Sequence, residues 1–124
     1  MKITVPISLG ELYDKISILE IKLSHMDSPE KIANVANEYK QLREISKDYP
    51  IEQSLYDNLM QVNQRIWDIE DGIRECERDK HFEERFKDLA RGVYFNNDER
   101  SKIKKEINTI YGSEIVEEKS YEKY

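Results

Sequence analysis

The sequence has one cysteine, three prolines and four glycines in 124 residues. Cys76 on its own can close no internal disulfide and build no cysteine-rich zinc site, so stability must come from packing, and a reducing compartment suits the chain. With so few prolines and glycines, long stretches run without a helix breaker, which argues against a sandwich of short strands. No apolar run reaches the length of a membrane span, because charges interrupt every segment, and MKITVPISLG lacks the apolar core of a signal peptide. The expected setting is the cytoplasm, with no membrane partner. Positive charge is short as well: 20 Lys and Arg face 26 Asp and Glu, a net charge of -6 that makes nucleic acid an unexpected partner. The only histidines, His25 and His81, do not stand three residues after a glutamate, the spacing a di-metal carboxylate bundle needs, so no metal and no cofactor is expected. Nucleophile elbows, phosphate loops and dinucleotide glycine patterns are also missing.

What the chain does have is helical periodicity. Hydrophobic residues (38%) and charged residues (37%) are balanced, as in helices with one wet face, and the length suits a single domain spanning 1–124. Ser8 and Glu11 form a capping box, after which Leu9, Leu12, Ile16, Leu19, Leu23 and Met26 recur every three or four residues. Ser28 and Pro29 open a second helix carrying Ile32, Val35, Tyr39, Leu42 and Ile45, and Pro50 closes it. A third helix, from about Glu52 to about Lys80, carries Leu55, Leu59, Val62, Ile66, Ile69, Ile73 and Cys76. The fourth runs from about Glu83 to Tyr111 and stops at Gly112. Short connections predict an all-α, antiparallel four-helix bundle with short extended N- and C-terminal segments, 113–124 forming a tail. Ile3 to Ile7 alternates like a strand and could pair with Ile115 and Val116, which would set Lys119, Ser120 and Tyr121 beside helix four.

Two features break the simple pattern. Ile18 and Ile21 lie opposite the main stripe of helix one, which fits either a central helix wrapped by the others or a homo-oligomer interface. On helix four, Asn97, Arg100 and Lys104 fall within roughly 40° of the apolar stripe set by Phe86, Leu89 and Val93. A buried cation without a partner costs several kcal/mol, so these residues should meet carboxylates, line a wet cleft or bind an anion. Glu20 on helix one and Glu70 and Glu77 on helix three flank the core seams and are the expected acidic partners. Cys76 falls on a core stripe and reads as an inert packing group, WDIED as surface, and Gly72 and Gly92 as points of close helix contact.

The segments PISLGELYDKISILEIKL, WDIED, LARGVYFNNDER and EEKSY, in that order, resemble the domain of unknown function 6165 family over nearly the whole chain. The resemblance implies a protein of bacteria or phages and singles out Gly10, Glu11, Asp14, Lys15, Asn97, Asp98, Arg100, Lys119, Ser120 and Tyr121, with no catalytic assignment. It also implies, by the company of surface-carbohydrate genes, a sugar-related partner.

The functional expectation is a non-catalytic, dimeric helical domain that binds an anionic small molecule or a partner protein. Arg100 and Lys104 would neutralise the anion, Asn97 would orient it, and Tyr94 or Tyr121 would supply a wall, with Glu20 and Glu70 nearby. A purely structural interaction protein would instead show the polar cluster fully paired with no pocket beside it. An enzyme resembling the helical chorismate mutases is the third reading, although helix one offers Lys15 and Lys22 and no arginine.

Overall fold

The computed structural model describes residues 1–124 as four helices and no strand: α1 (Leu9–His25), α2 (Pro29–Ser46), α3 (Gln53–Asp79) and α4 (Glu84–Ile110). Four of the eight helix ends have a clear local cause. Ser8 caps α1 by accepting the Glu11 N–H at 3.1 Å, but the Glu11 carboxylate turns away to Lys104, so the capping box is half made. Pro29 opens α2 at a position where its missing N–H costs nothing, and the Ser28 side chain makes no capping hydrogen bond. At the end of α4, Gly112 takes a positive φ of 65°, and the Ser113 N–H reaches back to the Asn108 carbonyl at 2.8 Å. Lys80 closes α3 in the same left-handed conformation, with the His81 N–H on the Cys76 carbonyl at 2.9 Å. The sequence carries no glycine to announce that second closure.

α1 is the central helix. It packs against α2, α3 and α4, whereas α2 lies against α1 alone and α3 pairs lengthwise with α4. This is why α1 is apolar on two sides: Ile16 and Leu19 face one way, and Ile21, 2% exposed, is covered by the chain's own helices. Ile18 remains half-buried. The core is Leu12, Tyr13 and Ile16 of α1, Leu55, Leu59 and Val62 of α3, and Ile103 and Ile107 of α4. Tyr13 also donates its hydroxyl to the Tyr49 carbonyl at 2.7 Å, tying the start of α1 to the chain leaving α2.

α1 is about 25 Å long, whereas α3 and α4 each extend about 40 Å. His25, at the end of α1, stacks on Trp67 midway along α3, and beyond that point α3 and α4 continue as a two-helix hairpin. There Gly72 meets Leu89 and Gly92 meets Ile69, the close contacts expected of these glycines. With no third helix over them, Ile69 and Ile73 are only half-buried, although both sit on the same stripe as Leu59.

The expected pairing of the two ends does not form. Ile3 and Val5 stand 77% and 61% exposed, and neither Ile115 nor Val116 joins a strand. The carboxyl tail instead turns at Gly112 and runs back along α4, where side-chain contacts compete successfully with the two-strand ladder.

Candidate functional site

The site begins with Gly10. Its N–H donates to Asn108 Oδ1 at 2.7 Å, and a Cβ at this position would stand 2.5 Å from the Lys104 carbonyl oxygen. Only a residue without a side chain lets α1 and α4 approach this closely. That approach brings the first turns of α1 onto Lys104, whose Nζ lies 2.7 Å from Glu11 Oε2, 3.8 Å from Asp14 Oδ2 and 3.5 Å from Glu117 Oε1. Lys104 is only 8% exposed. Burial pulls its pKa down, but the Glu11 hydrogen bond and the charges of Asp14, Glu11 and Glu117 outweigh that pull and hold it above the ordinary lysine value. The ammonium is therefore a fixed buried charge, compensated within the chain.

From Asp14 the network continues inward. Asp14 is 5% exposed; its Oδ1 accepts from Asn63 Nδ2 at 2.8 Å, and the same amide nitrogen donates to Ser17 Oγ at 2.8 Å. Asn63 Oδ1 accepts from Arg100 at 3.1 Å, and a second Arg100 nitrogen donates to Asn97 Oδ1 at 2.6 Å. No buried side-chain nitrogen or oxygen is left without a partner. Lys104 and Arg100, one turn apart, thus sit in different electrostatic company. Lys104 meets carboxylates, while the hydrogen-bond partners of the half-buried Arg100 are both neutral amides.

Beside this network lies a cavity of about 510 Å³. Tyr94, Asn97, Asp98, Arg100, Ser101 and Lys104 form its α4 wall, and Lys119, Tyr121, Glu122 and Tyr124 of the tail form the other. Beyond Ser113 the tail makes no backbone-to-backbone hydrogen bond and is held through side chains. Lys105 pairs with Glu118 at 3.3 Å, the Tyr124 hydroxyl donates to Asp98, and the Tyr124 ring packs on Tyr94 and Phe95. Donation to the Asp98 carboxylate raises the Tyr124 pKa. Lys119 pairs with Glu117 at 3.1 Å, and this bond, opposed by partial burial and helped by Lys104, holds the Glu117 carboxyl below its ordinary value. A second cavity of about 500 Å³ lies on the far side of Arg100, with Ile18, Ile21, Ile66 and Trp67 as apolar wall and Glu70, Asp71 and Arg74 at the rim.

Of the residues singled out from sequence, Tyr94, Asn97, Arg100, Lys104 and Tyr121 line one cavity. Glu20 and Glu70 do not join them. Glu20 accepts a short hydrogen bond from Tyr56, and burial together with this bond raises the Tyr56 pKa well above the ordinary tyrosine range. Glu70 pairs with Arg74 at 2.6 Å on the rim of the second cavity, and Glu77 pairs with Lys80 at 3.6 Å. The acids that do reach Lys104 are Glu11 and Asp14, because α1 runs antiparallel to α4 and its first turns meet the last turns of α4, and Glu117, because the tail turns back along α4. Asn63 also escaped the sequence reading, though an amide among Leu59, Val62 and Ile66 on a core stripe was a visible signal.

The fold and site define a helical-bundle protein with a buried polar network opening onto a surface cavity. It belongs to the family of unknown function DUF6165, whose family model matches residues 1–124. No curated protein and no solved structure matches the chain.

Proposed function

We propose that this protein is a non-catalytic binding domain that takes a small anionic molecule into the cavity between α4 and the carboxyl tail. The observation that carries this reading is the company kept by Arg100: a half-buried guanidinium on the cavity wall, hydrogen-bonded to Asn63 and Asn97 and forming no ion pair. Arg100 has five N–H donors, and a carboxylate or phosphate can accept from those the two amides leave free. Asn97 fixes the guanidinium plane, and Tyr94 and Tyr121 supply flat walls. Lys104 has a different part: its charge is matched by three carboxylates, so it anchors α1 and the tail to α4. Asp98 and Glu122 in the same lining favour a ligand that carries hydroxyl or amino donors beside its anionic group.

A structural role for the network is the second reading, favoured by its complete hydrogen bonding. That reading gives no task to the cavity or to an arginine without a carboxylate partner. We place the protein in the cytoplasm on the strength of its single free thiol, Cys76; no helix is long and apolar enough to cross a membrane.

Calorimetric titration with inorganic phosphate and with citrate tests the binding reading. Saturable binding is expected, at least tenfold weaker in Arg100→Gln while helical content is unchanged. Absence of saturable binding for both anions, or equal affinity in the variant, would contradict it.

A further inference from the structure

The segment 1–7 has no role in the bundle or the cavity, and its physical state is costly. None of its backbone groups makes a hydrogen bond within the chain, and Met1, Ile3, Val5 and Ile7 are exposed. The four recur every second residue, so an extended chain carries them all on one face. An apolar, unpaired edge of this kind is a template for another strand, and the chain itself contains none.

We propose that residues 1–7 pair with the same segment of a second copy as an antiparallel two-stranded ribbon centred on Thr4. The self-complementarity of MKITVPI supports that occupant. About Thr4, Ile3 falls opposite the second copy's Val5 and Met1 opposite its Ile7, so these four side chains of each copy meet on one face. Thr4 meets Thr4, and Lys2 meets Pro6, so the only charged side chain of the segment faces no like charge. The register also accommodates Pro6, which lacks an N–H: with Thr4 in a non-hydrogen-bonded pair, Pro6 falls in one too and no ladder bond is lost.

A two-stranded ribbon alone is marginal in water and needs an apolar surface to lie on. Each body offers one at the base of its own segment. Ser113 Oγ accepts the Leu9 N–H at 3.2 Å and donates to the Ile115 carbonyl at 2.6 Å, which sets the root of the segment beside Ile115. Ile110, Ile115 and Val116 are 56%, 42% and 40% exposed. The ribbon's apolar face can therefore rest on the two-fold pair of these patches.

Sedimentation and cysteine pairing test the proposal together. The parent should sediment at twice its 14.8 kDa mass at tens of micromolar, and Val5→Asp should sediment as a monomer with an unchanged helical spectrum. In a Cys76→Ser background, Thr4→Cys should give a disulfide-linked dimer under mild oxidation, because opposed non-hydrogen-bonded residues lie about 4.5 Å apart at Cα. Lys2→Cys, about four residues from its symmetry mate in this register, should not. A monomeric parent, a dimer insensitive to Val5→Asp, or equal cross-linking at positions 2 and 4 would each overturn it. Anion binding by Arg100 is untouched by any of these results.

Discussion

Lys104 and Arg100 show how one helical turn separates an anchoring charge from an available one. Replacing Lys104 by Met removes the cation between Glu11 and Asp14 and leaves the buried Asp14 carboxylate without a counter-charge, so a loss of about 3 kcal/mol in urea unfolding is expected. Arg100→Gln should cost about 1 to 3 kcal/mol, since the buried Asn63 amide oxygen loses a donor while Asn97 faces the cavity. The two paired ions also set opposite ends of a pH window. Lys104 has a raised folded pKa, so its contribution is present below the unfolded lysine value of about 10.4 and is lost as pH climbs through the raised one. Glu117 has a lowered pKa, owing first to the Lys119 hydrogen bond and then, against burial, to Lys104. Its contribution is present above the ordinary glutamate value of about 4.3 and disappears as pH falls through the lowered one. Carbon-detected titration of the Glu117 carboxyl should give a midpoint below that of a glutamate in the unfolded chain, moving upward in Lys119→Ala; an ordinary midpoint would remove the tail clamp from the account.

Among the elements, α1 and the α3/α4 hairpin fail in different ways when altered. Gly10→Ala drives a methyl group into the Lys104 backbone carbonyl, a rigid obstacle, and should cost at least 2 kcal/mol. Gly92→Ala meets only the Cδ1 end of Ile69 at 2.9 Å, which can turn aside, and the gain in helix propensity of up to about 1 kcal/mol should leave that variant near parental stability. Paired chemical denaturation of the two variants measures the contrast. Leu59→Ala, at a site with no exposed surface, should cost about 2 to 5 kcal/mol, and Ile69→Ala on the same stripe less than half as much. That difference marks where sequence reading stops. The heptad placed Leu59 and Ile69 on one face correctly, but periodicity within α3 says nothing of how far α1 reaches along it. Likewise Gly112 announced both the end of α4 and its left-handed turn, while at α3 the end near Lys80 was legible but the left-handed turn of a lysine there was not.

At the scale of the whole molecule, the bundle was legible because each stripe persists over several turns, and melting followed by circular dichroism should be cooperative and helical. The site was legible in part. Asn97, Arg100 and Lys104 stood out as polar residues on an apolar stripe, and Tyr94 and Tyr121 do line their cavity. Their partners were not legible from periodicity, since Glu11, Asp14 and Glu117 reach Lys104 only through the antiparallel crossing of α1 with α4 and the return of the tail. The resemblance had named Glu11 and Asp14, but without the contact that explains them. The central claim, that Arg100 is the receiving group for a small anion, is most directly tested by nitrogen-15 NMR of the Arg100 side chain during titration with phosphate. The account predicts a saturable shift of the Arg100 Nε–H resonance, accompanied by the Asn97, Ser101 and Tyr121 amides and absent from these amides in Arg100→Gln. An Arg100 resonance that stays still while other surface cations shift would contradict it.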